Sequence, residues 1–123
     1  MDSVNFKYSA EFLSDKHSQW VMYTKDDLSI WIAGDNIKKK YNFLIKNITS
    51  KKNINKGYIK RLIKGIDDHF GIIVISQNWS FAAVDCARTF PIFWKKTDNK
   101  IVLSPQAKCI ADQYESPIDK NQL

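Results

Sequence analysis

At 123 residues the chain has room for one compact domain with a buried core, and not for two. Its 44% apolar and 26% charged residues exclude a disordered tail. A net charge of +6 admits nucleic acid, a membrane surface or an acidic protein as partner.

In chain order, Val4, Phe6 and Tyr8 alternate with polar residues, as in a half-buried strand. Residues 19–25 and 28–33 are expected to pair as a hairpin across Lys25-Asp26-Asp27. Gly34-Asp35-Asn36 breaks the strand and offers a helix cap. Tyr41, Leu44, Ile45 and Ile48 then fall at i, i+3, i+4 and i+7, one apolar face of a helix, with Lys38, Lys39, Asn42 and Lys46 opposite. After a polar loop over 49–57, Ile59, Leu62, Ile63, Ile66 and Phe70 predict a second helix ended by Gly71. The run 71–76 is almost wholly apolar and reads as a strand covered on both faces. Residues 79–85 return antiparallel to it. A second hairpin pairs 91–95 with 101–104, a short helix spans 106–113, and a polar tail closes the chain. The expected fold class is α+β, a layered arrangement of antiparallel strands and helices in one domain over 1–115, with 116–123 as a tail.

Few chemical constellations are present. Cys86 and Cys109 make no disulfide framework and read as small core residues. His17 and His69 stand apart, and no Cys-x-x-Cys or Gly-rich phosphate loop appears, so no metal or cofactor is expected. His69 beside Asp68 reads as a helix-end histidine rather than a catalytic pair. The start of the chain lacks the basic and apolar regions of a signal peptide, and no run approaches a membrane span. A cytoplasmic domain is the expectation, in which the sequons at Asn47 and Asn78 carry no glycan. The lysines are scattered along the sequence with no long basic block, so a nucleic-acid partner is not expected.

The segment Asp85-Cys86-Ala87-Arg88-Thr89-Phe90-Pro91-Ile92-Phe93-Trp94 is the most distinctive. Asp85 ends a strand, Arg88 and Thr89 lie in a turn, and Pro91 opens the next strand, where its missing N–H costs nothing. Two readings follow. Either Asp85 is a buried corner residue that satisfies backbone donors, or Arg88, Phe93 and Trp94 line a partner surface.

Together with Asp68-His69-Phe70-Gly71-Ile72-Ile73-Val74-Ile75, Ser104-Pro105-Gln106-Ala107-Lys108-Cys109-Ile110 and the junction Ile32-Ala33-Gly34-Asp35, this segment resembles the glutamine-amidotransferase domain of the asparagine synthetase family. The resemblance covers about two-thirds of the chain. It implies a shortened N-terminal-nucleophile (Ntn) hydrolase-like fold, a sandwich of two antiparallel sheets between helices, with Asp85, Thr89 and Pro91 as its structural motif. The family's chemistry needs an N-terminal Cys whose thiolate attacks the glutamine amide while its own α-amino group serves as base. The sequence begins Met1-Asp2-Ser3, and no counterparts of the glutamine-binding residues can be placed. The resemblance therefore implies a pseudoenzyme domain, without catalytic residues, beside an ATP-dependent amide-forming synthetase domain or subunit. A homo-oligomer is compatible with this. The alternative is a small basic module that binds nucleic acid or an acidic peptide.

Overall fold

A computed structural model describes residues 2–6, 10–13, 19–49, 54–77, 79–87, 89–97, 100–106 and 110. The strands are β1 (Asp2–Phe6), β2 (Ala10–Phe12), β3 (Val21–Lys25), β4 (Leu28–Gly34), β5 (Phe70–Ile75), β6 (Ser80–Val84), β7 (Phe93–Lys96) and β8 (Ile101–Ser104). Two helices, α1 (Ile37–Thr49) and α2 (Lys56–Lys64), lie between β4 and β5. The first sheet has five antiparallel strands in the order β1-β6-β5-β4-β3. The second has three, β2-β8-β7, and its β2–β8 pair is parallel.

Strand alternation divides the first sheet between two cores. In one register row Ile30 lies opposite Val74, and Val74 opposite Phe81; Ile32, Ile72 and Ala83 form the next row. All six pack with Leu44 and Ile48 of α1 and with Ile59, Leu62 and Ile63 of α2. The intervening row of Trp31, Ile73 and Ala82, with Ile75 and Val84, faces the second sheet, where Phe12, Ile92, Trp94, Ile101 and Leu103 meet it. The order of layers is helices, five-stranded sheet, three-stranded sheet. The apolar run 71–76 is therefore covered on both faces, as expected. The α+β class and the layering hold; the second sheet is mixed rather than wholly antiparallel.

The two helices form a single layer. Tyr58 donates its hydroxyl to the Asn47 carbonyl at 2.6 Å, and Gly65 lies against the ring of Phe43. The helices thus run antiparallel, side by side. Asn55 caps α2 by accepting the Tyr58 N–H at 2.9 Å. The α2 C-terminus falls at Lys64 and not at Gly71, since the Gly65 N–H closes back on Leu62 and Ile63. Phe70 and Gly71 belong to β5, so the apolar spacing of Ile66 and Phe70 does not continue the helix. The hairpin turn sits at Asp26-Asp27, where Asp26 takes φ 54°. Strand β7 begins at Phe93, two residues after Pro91. Of the expected 106–113 helix, Gln106 is not helical and Ile110 is; the rest, including Cys109, and the tail lie outside the described residues.

Gly34 ends β4 with φ +123°, and a Cβ there would run into the carbonyl of His69. Replacing it with Ala combines backbone strain with a backbone clash, and should cost about 2–4 kcal/mol in urea unfolding. A wild-type midpoint for Gly34→Ala would show that β4 and the residues before β5 do not approach so closely.

Candidate functional site

The residues singled out in the sequence meet where β6 ends. Asp85 is buried, and its own N–H bonds to the Phe70 carbonyl at 3.2 Å. Its carboxylate collects four donors. Oδ1 accepts the Thr89 N–H at 3.0 Å. Oδ2 accepts the Phe70 N–H at 3.2 Å and the Thr89 hydroxyl at 2.9 Å, and it lies 3.0 Å from His69 Nδ1. One side chain thus ties the start of β5 to the turn leading towards β7. This is the corner reading of Asp85, and Thr89 shares it.

His69 pairs with Asp85 and not with its sequence neighbour Asp68. Thr89 Oγ1 is also 3.0 Å from His69 Nδ1. One proton assignment satisfies all three groups: the Thr89 hydroxyl donates to Asp85, and Nδ1–H donates to the carboxylate and the threonine oxygen together. Nε2 is then the acceptor nitrogen of a ring that is 62% exposed. Burial pushes the Asp85 carboxyl up. The Thr89 N–H and hydroxyl, His69 and the Phe70 N–H together outweigh burial and leave it below the ordinary range. A carboxylate so saturated holds structure and is unsuited to taking a proton from a substrate.

A second pin lies next to the first. Lys40 is buried and forms an ion pair with Asp68 at 2.7 Å, while its ammonium also donates to the Asp35 carbonyl. Asn36 Nδ2 donates to Asp68 at 3.2 Å. The Asn36 carbonyl accepts the Lys40 N–H at 3.0 Å, opening α1, so Asn36 marks the helix start while its side chain binds elsewhere. The hydrogen bond from Lys40 draws the Asp68 carboxyl down against the opposing push of burial, and Asn36 and the Lys40 charge add to it. Lys40 falls in phase with Leu44 and Ile48, four and eight residues on, and that spacing was the signal for its inward direction.

An open cleft of about 270 Å³ borders this corner, lined by Ile66, Asp67, Asp68, His69, Asp85 and Cys86 among others. Cys86 is an exposed thiol outside any disulfide, which corrects its reading as a core residue. Among the described residues no group of three or more His, Cys, Asp or Glu is placed to hold a metal, and no helix is long and apolar enough to cross a membrane. Of the surface residues expected, Trp94 is partly buried against the inter-sheet core, and Phe93, its neighbour on the strand, is half-buried and points the other way. Arg88 lies outside the described residues.

Asp85→Ala leaves the buried Phe70 N–H without this acceptor and frees the partly buried Thr89 N–H, and should cost about 1–3 kcal/mol at pH 7. Because the folded pKa is lowered, this stability is complete above the unfolded value of about 3.9 and is lost as pH falls through the folded value. Urea unfolding from pH 7 to pH 2 should therefore show the gap between variant and wild type narrowing only in acid. A gap absent at pH 7, or constant down to pH 2, would contradict the corner role.

Comparison with protein-family models, with curated proteins and with solved structures finds no match to this chain.

Proposed function

We propose that this chain is a non-catalytic, glutamine-amidotransferase-like domain that supports or regulates an ATP-dependent, amide-forming synthetase in cis or in trans. The observation that carries the reading is the use made of the Asp85-x-x-x-Thr89-x-Pro91 segment. The part of the chain with the most specific resemblance to the family puts its carboxylate and hydroxyl into holding two strands and a turn together. The face-to-face packing of two sheets beneath a helical layer is compatible with a shortened form of the family's sandwich.

The chemistry of glutamine hydrolysis needs a thiolate and an α-amine on one residue. Cys86 and Cys109 are both internal, and neither carries a free α-amino group. In this reading the domain contributes surface and stability, and the synthetase supplies the nucleotide chemistry.

The purified chain should release no ammonia from glutamine, with intact mass recorded to define the first residue. It should bind a synthetase that carries the family's Ser-Gly-Gly-x-Asp-Ser nucleotide loop. Phe93→Ala should weaken that complex about tenfold or more, as large aromatics at such interfaces do, while leaving the melting temperature near wild type. Trp94→Ala is the less clean probe, because it also opens the inter-sheet core. Glutamine turnover by the isolated chain would overturn the proposal, as would failure to bind any such synthetase.

A further inference from the structure

The two helices carry more than the whole net charge of the protein. Over 123 residues there are 19 basic and 13 acidic side chains. Helices α1 and α2 hold eight of the basic ones and none of the acidic, so the remaining residues are net acidic by two. Lys40 turns inward to Asp68. The other seven, Lys38, Lys39, Lys46, Lys56, Lys60, Arg61 and Lys64, are exposed. The helices have ten exposed positions in all, and the other three are Asn42, Thr49 and Gly57. Cations scattered in sequence are thus gathered by the antiparallel packing of α1 and α2 into one face. Asp35, Asp67 and Asp68 lie at the end where α1 begins and α2 finishes, and Asp68 is already engaged by Lys40.

The arrangement works against the helices themselves. Lys38, Lys39 and Lys56 sit in first turns, where the helix dipole favours anions. Lys56, Lys60 and Lys64 repeat at i, i+4 and i+8, the spacing at which like charges repel. A surface shaped by helix stability alone would intersperse Glu. A bound polyanion removes both conflicts.

The composition of the face selects among polyanions. A protein partner needs an apolar or aromatic centre to the interface, and none of the ten exposed positions is apolar. An anionic bilayer held by an interfacial helix needs apolar residues to insert beside the charges. Single-stranded nucleic acid is held by bases stacked on exposed rings, whereas Tyr41 is stacked on Tyr23 at 4.2 Å and Tyr58 and Phe43 lie between the helices. What remains is a rigid lattice of phosphates contacted without base reading. Lysines about 6 Å apart along a helix face a duplex that presents one charge per about 1.7 Å of axis. We propose that the outer face of α1 and α2 binds the phosphate backbone of double-stranded DNA without sequence preference.

The test uses the full chain and a fluorescent 24-base-pair DNA duplex, titrated in anisotropy between 50 and 200 mM KCl. Contacts to roughly four to seven phosphates predict a log–log salt slope of about −4 to −6 and a loss of affinity of about 100-fold or more over that range. Lys60→Glu/Lys64→Glu should weaken binding about 30-fold or more, and Lys60→Gln/Lys64→Gln about tenfold. The charge-matched control Lys25→Glu/Lys96→Glu, on β3 and β7, should change it less than about threefold; folding of all variants is followed by circular dichroism. The neutral Gln pair keeps the test decisive if the Glu pair fails to fold. Parallel titrations use the single strand of the same length, vesicles containing anionic phospholipid, and polyglutamate. A slope shallower than about −2, equal losses in the helix and control variants, or binding of any of the three competitors as tight as that of the duplex would overturn the proposal.

Discussion

The carboxylate of Asp85 is the constraint on which the arrangement of strands rests. Four donors converge on it, two of them backbone N–H groups from segments that are neighbours only in the folded chain. A buried N–H without a partner is a steep penalty, so the start of β5 and the turn after β6 have little freedom to sit elsewhere. The turn in turn sets the position of Ile92, which is buried between the sheets. The second sheet therefore inherits its placement from one acidic side chain on the first.

Close by, Lys40 and Asp68 do for the helical layer what Asp85 does for the second sheet. A buried ammonium is tolerated only when paired and hydrogen-bonded, and Lys40 has both a carboxylate and a backbone carbonyl. This fastens the first turn of α1 to the chain that leads into β5. Both pins act on adjacent residues, Asp68 and His69. The connection between α2 and β5 is thereby held from above by the helices and from below by the sandwich. Gly34, which tolerates the His69 carbonyl only because it has no Cβ, closes the third side.

Much of this was legible in the sequence, and the failures have physical causes. The helix faces of Leu44 and Ile48, and of Ile59, Leu62 and Ile63, follow from spacing alone because each packs one stripe on a sheet. The hairpin at Asp26-Asp27 and the doubly covered strand β5 were equally plain. The end of α2 was misplaced because Ile66 and Phe70 keep the helical phase. What stops the helix is the Gly65 turn and the anchoring of Asp68 and His69, which are tertiary effects. Strand β2 has only three residues, too few to show a period, and its parallel partner is remote in sequence. At the site, Asp85 and Thr89 could be named as a corner, but the third member, His69, could not. The sequence reading placed His69 at a helix end, whereas α2 stops at Lys64 and folding brings His69 within reach of Asp85. The basic face was hidden for a related reason: lysines distant along the chain become neighbours when two helices lie antiparallel.

The strand pairings also dictate an order of assembly. Strand β1 finds its partner β6 about eighty residues downstream, and β2 finds β8 about ninety residues downstream, whereas β3, β4, β5 and β6 join neighbours that follow one another along the chain. Pairings that close long loops are slow to form. During synthesis β1 must wait for β6, and β2 for β8, to be made. The central β3–β6 meander with its two helices can collapse early, leaving β6 with an open edge that only the waiting β1 fills. During that interval the apolar strand edge is exposed to other chains, and the speed of β1 docking decides how long.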